Sequence, residues 1–199
     1  MTAQINDVFL YSSNSNNCSN YALVGITGNA ILEISSLGLY PMPVCTASWS
    51  GHRKYYSIID SQLVLSGLDI NLGESQAKTA PTINGVSATY DADNLLFNSH
   101  YEGINLRLTY SGKLLIAAGF IAELYDHMGF HPSWKFKIVH ELEFVGDGRL
   151  INGIDRSDEN AALRQRIMLA DQHRLGDDAT IKDIETYVTN SFSRSFAEL

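Results

Sequence analysis

"INLRLTYSGKLLIAAGFI", residues 104–121, decides the fold class. Ile104, Leu106, Leu108 and Tyr110 alternate with Asn105, Arg107 and Thr109, the two-residue period of a strand with one face buried and the other wet. Ser111-Gly112 follows as a tight-turn pair, and "KLLIAAGFI" predicts a return strand. Working outward, "YYSIID" and "QLVLSGL" read as a hairpin about Asp60-Ser61, and "YALVGITGNAILEI" (21–34) as another that bends at Gly28-Asn29. "WKFKIVHELEF" alternates in the same way and turns through "GDG" (146–148) into "RLI". Successive hairpins predict an antiparallel β meander, either a curved sheet or a half-barrel, and argue against βαβ units.

Two stretches, "LVLSGLDINLG" (63–73) and "LTYSGKLLIAAG" (108–119), share an apolar run, Ser-Gly and a second apolar run. Duplication would produce this echo, and so would shared turn chemistry. The polar stretch 71–87, with its Gly and Pro, reads as a long surface loop. Past Gly153 the pattern becomes helical: Ser157 as cap, acids in the first turn, and Gly176 as a stop. A second helix is predicted from Thr180, where Thr180 and Asp183 form a capping box. Its apolar stripe is Ile181, Ile184, Val188, Phe192 and Leu199, with Tyr187 and Phe196 alongside, and it buries on the protein's own sheet or on a partner or second copy. The fold class is therefore α+β, with an antiparallel β domain over 1–152 and a C-terminal helical pair over 153–199.

The chain has 199 residues, 45 % of them hydrophobic and 18 % charged, a globular balance that needs no metal or disulfide to hold a core. Its net charge of −8 repels phosphate backbones, and the arginines at 164, 166 and 174 lie among aspartates, so no nucleic-acid partner is expected. The longest apolar run, "LLIAAGFIA", is too short to span a bilayer, and no membrane partner is expected. Two cysteines make no disulfide framework, and the N-terminus lacks the pattern of a secretory signal, which together predict a cytoplasmic protein.

Residues 125–144, "YDHMGFHPSWKFKIVHELEF", concentrate three histidines, two glutamates and an aspartate. His127 and His131 have the spacing of two ligands on one helical face, but Gly129 and Pro132 break a helix there. These two histidines with Asp126 are the candidates for a metal site, yet a loop running into a strand is the expected reading, and no metal or other cofactor is expected. Alternation puts His140 on the apolar face with Phe136, Ile138, Leu142 and Phe144, and Glu141 and Glu143 on a wetter face with Lys135 and Lys137. "YDADN" (90–94) reads as a turn, since the glycine and distal glutamate of a calcium loop are missing. No GxSxG is present, and Cys45 reads as a buried structural cysteine, with pairing to His52 or His100 as the catalytic alternative. Trp49, Tyr55, Tyr101, Tyr125, Phe130 and Trp134 lie at strand ends and in loops, where aromatics suit a binding surface.

"ASWSGHRKYYSIIDSQLVLSGLDI" (47–70) resembles a segment of small uncharacterised bacterial proteins that carry an aromatic-Arg-Gly-Tyr stretch, then Trp-Glu-Ile, a turn and Leu-Tyr-Leu. Trp49 and Gly51 match; Tyr56-Ser57-Ile58 and Leu63-Val64-Leu65 replace the two tripeptides, and Gly51-His52-Arg53 breaks the Arg-Gly-Tyr order. "YEGINLRLTYSGKLLI" (101–116) is similar to later strands of the same proteins. Some of them neighbour toxin systems, so the resemblance implies an immunity-type binding role and assigns no catalytic residue.

The leading expectation is a non-enzymatic module that binds another protein through its sheet. The alternatives are a small enzyme or ligand-binding half-barrel, with His127, His131, Asp126 and Glu141 round a pocket, and a structural subunit that dimerises through its last helix.

Overall fold

Asp60 and Ser61 both adopt left-handed backbone, with φ of 51° and 62°. That pair of conformations matches the right-handed twist of flanking strands, so the hairpin read from the sequence forms here. The computed structural model describes residues 2–12, 19–173, 190–191 and 193–196. The second helix expected from Thr180, with Ile181, Ile184, Val188 and Phe192, lies outside the described residues. In chain order the strands are β1 (Val8–Tyr11), β2 (Ser19–Ile26), β3 (His52–Ile59), β4 (Gln62–Ile70), β5 (Thr89–Tyr90), β6 (Ser99–Arg107), β7 (Gly112–Phe120), β8 (Phe136–Val145) and β9 (Arg149–Asp155). The helices are α1 (Glu74–Lys78) and α2 (Ser157–His173). The class is α+β with a largely antiparallel sheet. None of the helices among these residues is long and apolar enough to cross a membrane.

Sequence order is not spatial order. The strands lie β3-β1-β2-β7-β8-β9-β4-β6-β5, and β3 also pairs with β4. Pairings therefore run in a circuit through β3, β1, β2, β7, β8, β9 and β4, with β6 and β5 branching off β4. The sheet is mixed, because β1 runs parallel to β3, Val8 opposite Tyr55 and Leu10 opposite Ser57. The β9–β4 closure is narrow. Gln62 faces Arg149, Leu63 N donates to Gly148 O at 2.9 Å, and Leu150 N to Ser61 O at 2.8 Å.

The hairpin expected over 104–121 does not form. β6 pairs with β4 and β5, whereas β7 pairs with β2 and β8. The turn between them docks elsewhere: Tyr110 Oη donates to Thr27 O at 2.7 Å and Lys113 N donates to Thr27 Oγ1 at 2.7 Å, which carries the chain over to β2. The alternation itself holds, with Ile104, Leu108 and Tyr110 buried and Leu106 packed against them. The hairpin expected over 21–34 is also absent. β2 ends at Ile26, and residues beyond Gly28 enter the core as a 3-10 turn, Ile34–Leu37, with Ile31 and Ile34 buried. Ser66-Gly67 lies inside β4 at a bulge instead of at a turn, so the two Ser-Gly stretches have different structures.

Residues 71–87 are not a plain surface loop. They hold α1 and a tight Ile83–Val86 bridge, and they plug Leu72, Ala77 and Ile83 into the core. The boundary expected at 152–153 cuts β9, where Asn152 and Gly153 pair with Glu143 and Leu142. The Ser157 hydroxyl donates to Asp155 Oδ1 and accepts from Val139 N, tying α2 to the sheet rather than capping its own helix.

The main core fills one face with Phe9, Leu23, Tyr56, Leu65, Ile116 and Phe144. The other face of β2, β7 and β8 carries a smaller cluster, Val24, Leu115, Ala117, Phe136 and Val139. Phe196 packs there against Gly25, where an added Cβ would meet its ring at 2.7 Å. α2 lies over the start of β8: Asn160 Nδ2 donates to Ser133 O at 3.0 Å, and Arg164 Nη1 donates to Trp134 O and Phe136 O, both at 2.9 Å.

Candidate functional site

The loop 125–135 is irregular because Gly129 takes a φ of 70° and backbone of Ser191 occupies the space a Cβ would need. Phe130 N donates to Ser191 O at 2.7 Å, and Gln4 N donates to Gly129 O at 2.7 Å. This pins the loop between the N-terminal and C-terminal segments and opens a cavity on each side of Phe130, which lines both.

The larger cavity, about 780 Å³, is walled by Tyr125, Met128, Phe130, His131, Trp134 and Lys135, with Phe196 and the serines at 191, 193 and 195 opposite. His131 is 8 % exposed and lies against two rings, 4.7 Å from Phe120 and 5.3 Å from Tyr125. Neither of its ring nitrogens has a hydrogen-bond partner among the described residues. Burial, with the Lys135 charge adding to it, holds its pKa below the usual histidine value, so the ring is neutral at pH 7 and carries one donor and one acceptor. Leaving such groups buried and unpaired costs roughly 1–3 kcal/mol each. Lys135 is also buried, 3.9 Å from Asp126 and 5.2 Å from the Trp134 ring, and burial lowers its pKa.

Sequence reasoning placed Lys135 on a wet face, and Glu141 beside it; both are buried. Glu141 Oε1 meets Lys113 at 3.4 Å and Arg156 at 3.5 Å, away from the cavity. His140 does face inward, as expected, tilted against Tyr11 and edge-on to Tyr21 at 5.5 and 5.6 Å, whereas Ile138 of the same run is 42 % exposed. His127 is exposed on the outer side of Tyr125, with its ring 4.9 Å away. Asp126 and His131 thus share the cavity wall, and His127 and Glu141 do not. Among the described residues no group of three or more His, Cys, Asp and Glu is placed to hold a metal ion.

Of the six aromatics expected on a binding surface, Tyr125, Phe130 and Trp134 gather at this cavity, and Trp49 lines the smaller one. Tyr101 is a core residue, 1 % exposed, whose hydroxyl donates to Pro81 O. Tyr55 belongs to a separate polar latch across β3, β4 and β6. There Asp69 Oδ2 accepts from Tyr55 Oη at 2.6 Å and from Arg53 Nη2 at 2.7 Å, and Oδ1 accepts from His100 Nδ1 at 2.7 Å. Burial and the Asp69 carboxylate push the Tyr55 phenol up to about 12, so it stays a donor. Burial would raise the Asp69 pKa, but its donors Tyr55, His100 and Arg53 outweigh that and lower it. The other nitrogen of His100 accepts from Asn94 Nδ2 at 3.4 Å, so the pair ties three strands and the loop before β6 together. Cys45 is exposed, in a bridge to Ser48, not buried as expected.

Sequence reasoning missed Asp7. Only 5 % exposed, it accepts from Lys54 N at 2.9 Å and from Arg194 Nη1 at 2.8 Å, with Lys54 Nζ at 3.9 Å. Burial would raise its pKa; Lys54 and Arg194 override that and hold it below the ordinary carboxylate value. A lone acid before an apolar strand gives no sign of a partner 187 positions away. No family model, curated protein or solved structure matches the chain.

Proposed function

We propose that the protein is a non-enzymatic binding module and that its ligand enters the cavity beside His131. The carrying observation is the neutral imidazole, set against rings and unpaired at both nitrogens among the described residues, in an aromatic wall next to a buried lysine. A group with an adjacent donor and acceptor on a planar body satisfies both nitrogens and stacks on Trp134 or Phe130. Tyr125, 47 % exposed and resting on His131, is the side chain that moves to admit it. The half-barrel reading of the sheet belongs to this proposal, with the ligand taken on its outer flank.

His131→Phe is the test, since phenyl keeps the stack between Phe120 and Tyr125 and removes the unpaired nitrogens. The substituted chain is expected to be about 1 kcal/mol more stable by urea unfolding. It should also lose a small planar ligand that mass spectrometry detects on the unsubstituted protein purified from its native host. A substituted chain that is less stable would mean that the nitrogens have partners, and would end this reading.

A second reading, the protein partner, rests on β9. Past Arg149 the described residues place no strand beside its outer edge, and Ile151 is 50 % exposed there. Such an edge accepts an added strand, which is how an immunity-type role would operate. Ile151→Lys should abolish co-purification of a partner; retention of the partner would remove the edge from consideration. The free, exposed Cys45 thiol suits a reducing compartment and favours the cytoplasm.

A further inference from the structure

The smaller cavity, about 340 Å³, lies on the opposite side of Phe130 from His131 and combines an apolar wall with a charged end. Ile5, Ile26, Ala30, Ile31, Trp49 and Phe130 line it on the apolar side, and Asp7, Lys54, Arg194, His52 and Tyr56 on the polar side. Lys54 and Arg194 side chains are 13 % and 17 % exposed. Two cations thus face one carboxylate, an excess of one positive charge, with the nearby Glu33 on the exposed surface. His52 Nδ1 lies 2.9 Å from Ser50 O and can only donate to that carbonyl, while burial lowers its pKa, so it adds no charge at pH 7. Among the described residues Arg194 commits only Nη1 to Asp7, and its guanidinium lies over the Phe130 ring at 4.1 Å. Tyr56 is fully buried, and its hydroxyl has no hydrogen-bond partner among the described residues. Burial and the Asp7 charge keep that hydroxyl protonated, so it can only be satisfied as a donor or by accepting from a donor.

We infer that this cavity binds a small organic monocarboxylate, its carboxylate at Arg194, Lys54 and Tyr56 and its apolar body against Trp49, Ile31 and Phe130. An incoming monoanion neutralises the excess charge and gives the Tyr56 hydroxyl an acceptor. The aromatic and aliphatic wall excludes a strongly hydrated inorganic ion and selects for a hydrocarbon or aromatic body. The volume suits a molecule of benzoate or hexanoate size.

The test is titration of the full chain with benzoate and hexanoate, and with the neutral benzamide and hexanol, at constant ionic strength. Binding is read by calorimetry and by Trp49 fluorescence in a Trp134→Phe chain. Saturable binding of the carboxylates is expected, with the neutral analogues and the Lys54→Met chain each weaker by about tenfold or more. Tyr56→Phe is expected to weaken binding several-fold while leaving the urea midpoint unchanged or raised, because it removes an unpaired hydroxyl. His131→Phe should leave carboxylate binding unaltered, which separates this site from the larger cavity. Absence of saturable binding, equal binding of the neutral analogues, or an unchanged affinity in the folded Lys54→Met chain would each overturn the inference.

Discussion

Asp7→Ala is expected to lower the unfolding free energy by about 3–5 kcal/mol, because it leaves the part-buried cations Lys54 and Arg194 without their buried counter-charge. It also strips an acceptor from the Lys54 backbone N–H, at the point where β1 runs parallel to β3. Asp7→Asn keeps the size and an acceptor, so it isolates the charge and should cost less than Asp7→Ala. The acid dependence has a definite sign. The folded-state pKa of Asp7 is depressed, so the unfolded chain binds its proton at a higher pH than the folded one. The Asp7 contribution is complete above the ordinary carboxylate value of about 3.9 and disappears as pH falls through the lower, folded value. Urea midpoints of the natural and Asp7→Asn chains at pH 7 and in stronger acid should therefore converge. A constant gap across that range would place the stabilisation somewhere other than this charge.

Gly148→Ala is expected to cost roughly 2–5 kcal/mol, the sum of left-handed backbone strain and overpacking. Gly148 has a φ of 87°, and an added Cβ would run into the Leu108 carbonyl oxygen and lie 2.9 Å from Gln62 Nε2. Its carbonyl accepts from Leu63, and the Gln62 amide donates to both Leu108 O and Asp147 O, so this glycine is at the narrow β4–β9 closure of the circuit. The neighbouring Gly146→Ala is the matched control. Gly146 is also left-handed, with a φ of 56°, but nothing lies within 4 Å of its Cβ position, so it should lose only the strain part. Equal losses in the two chains, measured by urea unfolding, would refute the collision.

Legibility in the sequence follows the range of the interaction. The β3–β4 hairpin was readable because Asp60-Ser61 settles it within four residues, and β8–β9 because "GDG" does the same. The 104–121 hairpin misread a correct alternation: strand period reports which face is buried but is silent on which strand lies alongside. Here Thr27, more than eighty positions upstream, captures the turn through Tyr110 and Lys113. Glu141 and Lys135 were assigned to a wet face because a sheet with one covered face was assumed, yet α2 and the C-terminal segment cover the other side of β8. The candidate site was half legible. Tyr125, Asp126, Phe130, His131 and Trp134 stand together in the sequence, whereas Val24, Ser191 and Phe196 complete the cavity from distant positions. Asp7 with Arg194, and Asp69 with His100, meet only through the topology.

The handshake between Ile26, Asp7 and Arg194 has a consequence for how the chain matures. Ile26 N donates to Arg194 O at 2.8 Å while the guanidinium reaches Asp7, so the acid beside the first strand gains its second counter-charge from a residue 187 positions later. A ribosome-bound intermediate stalled before position 194 would hold an acid in an apolar setting with only Lys54 to answer it. Docking of the first strand should therefore wait until residue 194 has emerged from the ribosome, and chains stalled short of it should stay sensitive to protease in that region.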